Sequence, residues 1–372
     1  MVQVMVRNKP FVKLASGSIS LRYGTAYYDL DVETTLFEIA IRAFAEGNSI
    51  RATARILQVD KDTACDWLHR AARHCRIVML YLWQNLHVTS LQLDELWSFI
   101  LTLEHNCTEA KLYHESYGDA WVWLAFAPVW RVVLAFVIGS LPQKNANLLL
   151  DRVAHVTDAH IPFFTSDQFS SSRTALLHTY GQWYQPPRKG NRGRYPKPLL
   201  VEPSELVYAQ VVKIRNSNGR LIEVKNKIIF GDENELASKL AESPVRSEIN
   251  TSFIERDNLT QRQSNRRLTR RSNGFSKELS WFDSPLWLSL AYYHLVLPHQ
   301  SLRQKLLNSE PTLGTGYQRC WQPRTPAMAA SITDHIWTTS ELLSYRVPAP
   351  FIDELPQLEY LFPNPDKIHQ GS

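Results

Sequence analysis

The order of β-like and helical segments between residues 89 and 305 constrains the fold of this chain more than any other feature. Three segments rich in Val, Trp, Phe and Leu come first, separated by polar or turn residues: SLQLDELWSFILTL, DAWVWLAFAPV and WRVVLAFVIG. A helical pattern follows, with an apolar stripe at Ala146, Leu149, Leu150 and Val153, and then a short apolar segment, IPFFTSDQF. Three successive strands predict an antiparallel meander, and a right-handed crossover would place the fourth strand beside the first.

This order predicts an α/β fold with the ribonuclease H-like layout, a mixed sheet flanked by helices. An all-α helix-turn-helix region would precede it, and a basic loop and a β-hairpin would interrupt it as an insertion. The predicted parts are an N-terminal segment with weak signals (residues 1–30), the helix-turn-helix region (31–80), the first part of the catalytic core (89–184), the insertion (185–249), long core helices (250–305) and a C-terminal extension that wraps the surface (306–372).

The helix-turn-helix prediction depends on capping residues. Ser49 and Asp60 are placed to cap two helices, residues 50–57 and 61 to about 75, which follow a longer helical pattern. Two short helices joined by a tight turn after a supporting helix are typical of this DNA-binding motif. A three-helix packing unit without DNA contact would have the same apolar core, so that alternative stays open. The predicted DNA-binding residues of the last helix are Lys61, Thr63, Arg70 and Arg73.

Three acidic residues fall where the ribonuclease H-like layout would bring them together. Asp94 interrupts the first apolar strand, Asp167 follows the fourth, and Glu255 lies in the first turns of a long helix. Carboxylates of this kind can hold two divalent ions, which activate an attacking oxygen and stabilise the departing oxygen of a phosphodiester. Because magnesium prefers oxygen ligands, we expect two Mg²⁺ ions, with Mn²⁺ as a substitute, and Asp94 bridging them. Taken singly, each acid could instead be an ordinary surface, turn or helix-start residue.

Two basic clusters predict contact with DNA phosphates. Residues 188–197 carry five basic side chains and no acid, and residues 256–271 carry six arginines and one aspartate. A solvated charged face would explain either cluster alone. The predicted contacts from the first cluster are Arg188, Lys189, Arg192 and Arg194. Those from the second are Asn258, Arg262 and Arg266, which would share one helix face with Glu255.

The cysteines and the apolar runs exclude several other classes of protein. Cys65, Cys75, Cys107 and Cys320 are scattered without a CxxC pair, which argues against a zinc site and against a disulfide framework. No apolar run is long enough to span a membrane. The net charge of +5 is only mildly basic, so the distribution of charge is more informative than its sum. We therefore expect a cytoplasmic protein without a membrane partner.

Several stretches of the chain closely resemble bacterial DDE transposases of the insertion-sequence-one type. The similarity runs from about residue 20 to 350, and the stretch around Glu255 is the most specific. The stretches are QLDELWSF (92–99), FTSD (164–167), YAQVVK (208–213), NTSFIERDNLTQRQSNRRLTRRSNGFSK (250–277), AYYHLVLPHQSLR (291–303) and RTPAMAA (324–330).

The resemblance implies an enzyme that cuts the ends of a transposable element and joins their 3′-hydroxyls to target DNA. The family's catalytic acids fall on Asp94, Asp167 and Glu255, and its basic residue seven positions after the glutamate falls on Arg262. The implied partners are element ends and target DNA, bound by a homodimer or a higher oligomer associated with the nucleoid. Relatives also carry a cysteine-rich zinc ribbon before the helix-turn-helix, which this sequence lacks. A catalytically silent DNA-binding remnant or repressor and a cellular nuclease of the same fold are the alternatives.

Overall fold

A six-stranded mixed sheet is the centre of the computed structural model. The model describes residues 11–14, 17–108, 117–139, 142–168, 170–188, 190, 194–245, 248–269, 273–312 and 317–363. The strands are β1 (Phe11–Leu14), β2 (Gly17–Ser20), β3 (Ser90–Ile100), β4 (Gly118–Ala127), β5 (Val132–Gly139), β6 (Phe163–Asp167), β7 (Gln182–Tyr184), β8 (Leu199–Val201), β9 (Tyr208–Arg215), β10 (Leu221–Phe230), β11 (Gln304–Pro311) and β12 (Gln318–Gln322). The helices are α1 (Thr34–Ala45), α2 (Ile50–Leu57), α3 (Lys61–Leu82), α4 (Pro142–Val156), α5 (Ser170–Tyr180), α6 (Glu233–Ala241), α7 (Ser252–Ser264), α8 (Ser280–Leu295), α9 (Pro326–Ala329), α10 (Thr339–Ser344) and α11 (Ala349–Glu354).

The strand order of the main sheet is β10-β9-β6-β3-β4-β5. The neighbours β3, β4 and β5 run antiparallel, so the predicted meander is confirmed. Strand β6 lies parallel to β3, in the position that a right-handed crossover through α4 predicted. The chain is therefore an α/β protein in which helices flank a mixed sheet and an N-terminal helical region precedes it.

The hairpin β9–β10 belongs to this sheet and is not set apart from it as the predicted insertion would be. Strand β9 pairs in parallel with β6, with Asp167 opposite Val211. Its first four residues are buried, as in an internal strand, because β6 covers one edge and β10 the other. Strand β10 forms the outer edge and is largely exposed. The pairing through the turn at residues 216–219 agrees with the predicted hairpin.

The N-terminal helices α1, α2 and α3 have the predicted order and caps. Ser49 accepts a hydrogen bond from the backbone N–H of Ala52, and Asp60 accepts one from that of Asp62. Gln58 adopts a left-handed conformation between α2 and α3, which makes the turn tight. Helix α3 continues seven residues beyond the predicted end at residue 75. Its last turns stay helical because Val78, Met79 and Leu80 are buried in the main core.

Helix α7 ends at Ser264, which corrects the prediction that the helix carrying Glu255 continues through Arg266. The next residue, Asn265, is extended, and its side chain accepts a hydrogen bond from the backbone N–H of Arg267 at 3.1 Å. A short 3-10 turn over residues 266–268 then buries Leu268, which is 1% exposed. The chain leaves the helix because an extended Asn265 allows Leu268 to reach the core.

The C-terminal region contributes to the core and does not only wrap the surface. Leu342 and Leu343 of α10 have no exposed surface, and Trp337 is 5% exposed. The backbone N–H of Ala26 donates to the carbonyl of Leu343, so distant segments of the chain meet there. The hairpin β11–β12, by contrast, is almost wholly exposed. Within the described residues, no helix combines the length and the apolar character needed to cross a lipid bilayer.

Candidate active site

Strand β3 presents one row of side chains to α7 and to the turn that follows it. Successive residues of a strand point to opposite faces, and the polar residues Gln92, Asp94 and Ser98 of β3 make contacts on this side. Gln92 donates to the carbonyl of Asn250 at 2.7 Å and accepts from the backbone N–H of Ile254 at 2.8 Å. Ser98 donates to the carbonyl of Arg267 at 2.8 Å. These contacts fix α7 along the strand on both sides of Asp94.

Asp94 lies between those two anchors and contacts α7 directly. The side-chain amide of Asn258 donates to its Oδ2 at 2.5 Å. Asn258 is three residues after Glu255 and therefore on the same face of α7. The pKa of Asp94 is raised to about 6, mainly by burial and also by the negative charges of Asp167 and Glu255, although hydrogen bonds from the Glu95 backbone and from Asn258 oppose the shift. The three predicted acids thus interact electrostatically on the α7 side of the two central strands, β3 and β6.

Asp167 and Glu255 are joined by a lysine and a threonine. The ammonium of Lys213 donates to Oδ2 of Asp167 at 2.9 Å and also to Oε1 of Glu255. The hydroxyl of Thr251 lies 2.9 Å from Oδ1 of Asp167 and 3.1 Å from Oε1 of Glu255. Asp167 is the last residue of β6, whereas Glu255 lies in the first turn of α7, so the fold brings together acids that are 88 residues apart in the sequence.

Lys213 is the site residue that sequence reasoning missed. It lies on β9, two residues beyond the position that pairs with Asp167. Its side chain is 27% exposed. Burial lowers its pKa, but the hydrogen bonds and charges of Glu255 and Asp167 outweigh that effect, so the net pKa is raised and the ammonium stays charged. Placing β9 beside β6 would have put Lys213 next to Asp167 in the sequence analysis. The interpretation of residues 185–249 as an insertion left that neighbour out.

Glu95 follows Asp94 but faces the other side of the sheet. With Leu93 it lines a small space against α4 and α5, beside Leu149 and Ser172. Burial raises the pKa of Glu95 to about 8, with further contributions from the charges of Asp94 and Asp167. Near neutral pH the Glu95 carboxyl is therefore mainly protonated. It adds no full negative charge to the cluster of Asp94, Asp167 and Glu255.

The donor chemistry of this cluster fits a hard divalent cation. Carboxylate oxygens are the ligands that magnesium prefers, and the Lys213 ammonium already bridges two of the three carboxylates as a cation would. Within the part of the chain that the model describes, no group of three or more His, Cys, Asp or Glu side chains is arranged to hold a metal ion. With Lys213 between Asp167 and Glu255, and Asn258 on Asp94, each of the three acids has a protein partner.

The predicted DNA-binding residues of the second basic cluster (256–271) do not all lie on α7. Arg262 lies seven residues after Glu255, on the same helical face, and is half-buried. Asn258 is buried and engaged with Asp94. Arg266 is exposed but lies in the 3-10 turn beyond the helix, so its predicted place on that face is wrong. The cause is the early end of α7 at Ser264.

The remaining predicted DNA contacts lie on two other segments. On α3, Lys61 and Arg73 are exposed and Thr63 is half-buried, whereas the guanidinium of Arg70 donates to the carbonyl of Tyr28. Lys61 forms an ion pair with Asp62 at 2.9 Å. In the basic loop, Arg188 and Arg194 are exposed, and the guanidinium of Arg188 lies 3.8 Å from the ring centre of Tyr195. Lys189 and Arg192 lie outside the described residues.

Comparison with known proteins assigns this chain to no family. No protein-family model matches it, and no curated protein matches it in sequence. The functional argument therefore depends on the residues and on the geometry of the acidic cluster.

Proposed function

We propose that this protein is a transposase of the DDE type, built on a ribonuclease H-like core. It would cleave DNA strands at element ends and transfer the resulting 3′-hydroxyls into target DNA. One observation carries the proposal: Asp167 and Glu255 meet around a single bound ammonium, and Asp94 lies close enough for both charges to raise its pKa. Three acids gathered on one face of the sheet suit phosphoryl transfer, whereas a protein that only binds DNA has no need of them.

The residues that would hold divalent ions are Asp94, Asp167 and Glu255. When bound, such ions would supply activation of the attacking oxygen and stabilisation of the leaving oxygen. The protein positions the acids beforehand. Asn258 orients the carboxylate of Asp94, and the hydroxyl of Thr251 fixes those of Asp167 and Glu255 relative to each other. Lys213 balances part of the charge of Asp167 and Glu255, and its ammonium would be available to a DNA phosphate if ions occupied the acids.

Strand transfer on DNA would also explain basic residues on α7 and on the loop that follows α5. Arg262 shares the face of α7 with Glu255, and Arg188 and Arg194 are exposed on the loop between α5 and β9. Phosphate contacts from these residues would hold the substrate strand without reading its sequence. The exposed first turns of α3 would supply the sequence-specific contacts of a helix-turn-helix.

A strand-transfer assay tests the activity. The substrate is labelled DNA from the borders of the reading frame, with Mg²⁺ and with an unlabelled target plasmid. We expect wild-type protein to nick the border DNA and join it to the plasmid. Asp94→Asn should reduce both steps below detection while DNA binding persists, because the amide cannot supply the negative charge that a cation needs. Asp158→Asn is the matched control, since Asp158 pairs with His87 away from the cluster, and it should leave activity unchanged.

A catalytically silent DNA-binding protein is the second candidate. The arrangement that favours it is the pairing of all three acids with Lys213, Thr251 or Asn258. Such a protein would bind the border DNA but would nick it with neither Mg²⁺ nor Mn²⁺. Cleavage of unrelated DNA at the same rate would instead indicate a cellular nuclease.

A further inference from the structure

A cleft lined by basic and apolar side chains lies at the other end of α7 from the acidic cluster. It has a volume of about 620 Å³ and opens between the start of α2, the start of α3 and the segments around residues 264–267 and 273–278. Five basic residues line it, against one acidic residue, Glu278. The basic residues are Arg51, Lys61, Arg266, Arg267 and Lys277.

Two nearly fully buried polar side chains at this cleft lack partners for their donor groups. Asn265 is 3% exposed, and its Nδ2 makes no hydrogen bond to the described part of the chain. Ser276 is 2% exposed, and its hydroxyl likewise has no partner there. Both residues line the cleft. Because an unsatisfied buried donor costs on the order of 1–3 kcal/mol, these two donors mark a part of the cleft wall whose hydrogen bonding the described residues leave incomplete.

Arg267 adds a positive charge that has little compensation. Burial lowers the pKa of its guanidinium to about 10, and Cys65 supplies the one opposing electrostatic effect. Its Nε has no hydrogen-bond partner among the described residues. A partly buried cation that has no acidic partner among the described residues is unfavourable, so an anionic ligand would relieve the cost at this position.

The backbone holds the walls of the cleft in place. A Cβ on Gly47, which has φ of +80°, would lie 2.9 Å from the carbonyl oxygen of Gln263 and 3.1 Å from that of Ser264. The turn between α1 and α2 therefore packs against the end of α7. On the other side, the backbone N–H of Leu101 donates to the carbonyl of Ser276 at 2.8 Å, which attaches the wall to the end of β3. The cleft therefore has walls that backbone contacts fix between the helical region and the sheet.

We propose that this cleft binds a backbone phosphate of the DNA strand whose reacting end lies at the acidic cluster. Arg51, Lys277 and the partly accessible Arg267 would contact the phosphate oxygens and balance their charge, with Asn265 and Ser276 in the wall behind them. The inference rests on the proposed function, because it takes DNA as the substrate. Glu255 and Ser264 are nine residues apart on α7, which is about 14 Å of helix. The bound phosphate would therefore lie about four nucleotides from the reacting one, at ~3.4 Å per nucleotide of one strand.

The test measures DNA binding of the full chain by fluorescence anisotropy over a series of salt concentrations. The probe is a short labelled duplex of arbitrary sequence, without divalent ions, so that cleavage plays no part. Removing one phosphate contact should reduce the slope of log affinity against log salt by about one unit. We expect that reduction for Lys277→Gln and for Arg51→Gln, both exposed residues on different walls of the cleft. Arg267→Gln should reduce affinity about tenfold or more.

The matched control is Lys144→Gln on α4. Lys144 is exposed and belongs to the layer that covers Glu95, on the face of the sheet away from α7, so its slope should equal that of the wild type. Inorganic phosphate alone should not stabilise the protein against heat, whereas the duplex should; equal stabilisation by both would show a free-anion site instead. Wild-type slopes for Lys277→Gln and Arg51→Gln would overturn the proposal. Because the assay omits cleavage, a failed strand-transfer reaction leaves this result interpretable, and the reverse also holds.

Discussion

The chemistry of the candidate active site depends on the balance between three acids and one ammonium. Lys213 contacts Asp167 and Glu255, both of which are nearly half exposed. Exposed ion pairs contribute little to stability, on the order of 0–1 kcal/mol. Lys213 therefore resembles a replaceable counter-ion more than a structural support. A divalent ion that competes for the same carboxylate oxygens must displace it.

Replacing Lys213 tests that competition. In Lys213→Met the two carboxylates lose their cation and repel each other. We expect a loss of about 1 kcal/mol of unfolding free energy in EDTA and a larger gain on adding Mg²⁺ than the wild type shows. Thermal unfolding with and without the metal measures both quantities. The matched control is Lys225→Met on β10, where Lys225 pairs with Glu223 at 3.2 Å. Equal Mg²⁺ shifts in wild type and Lys213→Met would contradict the idea.

At the scale of elements, α7 connects the acidic cluster to the helical region. Its start carries Glu255, its middle contacts Asp94 through Asn258, and its end packs against the turn at Gly47. A shift of the helical region would therefore also move α7, the helix that supplies Glu255. Only glycine fits at position 47, between α1 and α2. Both its positive φ and the approach of the α7 carbonyls exclude a side chain there.

A comparison of Gly47→Ala with Gly219→Ala should separate the strain of a positive φ from the close approach of the α7 carbonyls. Gly219 has a similar φ of +76°, but a Cβ there would meet nothing within 4 Å. Strain alone should cost Gly219→Ala about 1 kcal/mol. Gly47→Ala should cost about 2 kcal/mol or more, because the carbonyls of Gln263 and Ser264 must also shift. Urea unfolding measures the difference, and hydrogen exchange at the end of α7 should rise in Gly47→Ala alone. Equal losses in both variants would show that the turn does not pack tightly against α7.

At the scale of the whole molecule, local patterns predicted most of the fold and long-range pairing accounts for the errors. Ser49 and Asp60 act through neighbouring backbone groups, so their caps were readable from sequence. The meander and the place of β6 followed from strand order. By contrast, the position of β9 and the role of Lys213 depend on pairing with β6, about 45 residues earlier. The early end of α7 depends on the burial of Leu268, a contact that helical periodicity does not encode.

Buried histidines link distant parts of the molecule and should make its stability depend on pH. His294 of α8 accepts a hydrogen bond from the backbone N–H of Val133 on β5 at 3.0 Å, and burial lowers its pKa to about 3. His74 of α3 bonds the carbonyl of Leu342 at 3.0 Å, and burial lowers its pKa to about 4, although that hydrogen bond opposes the shift. Both rings are neutral in the folded protein above those values.

The unfolded chain takes up protons near the ordinary histidine pKa of 6.5, so the folded state should lose stability as the pH falls from there toward 3. Each ring contributes at most ~1.4 kcal/mol per pH unit. Asp94 and Glu95, whose pKa values are raised, change stability with pH in the opposite sense, so the histidine contribution is measured as a difference. In urea unfolding at intervals between pH 7 and pH 5, the wild type should lose free energy of unfolding relative to His294→Gln as the pH falls, since glutamine can still accept from Val133 but does not titrate. His105→Gln, at an exposed position, should leave the slope unchanged. If His294→Gln keeps the wild-type slope, the acid sensitivity of the fold has another origin, and the link between α8 and β5 does not require a neutral ring.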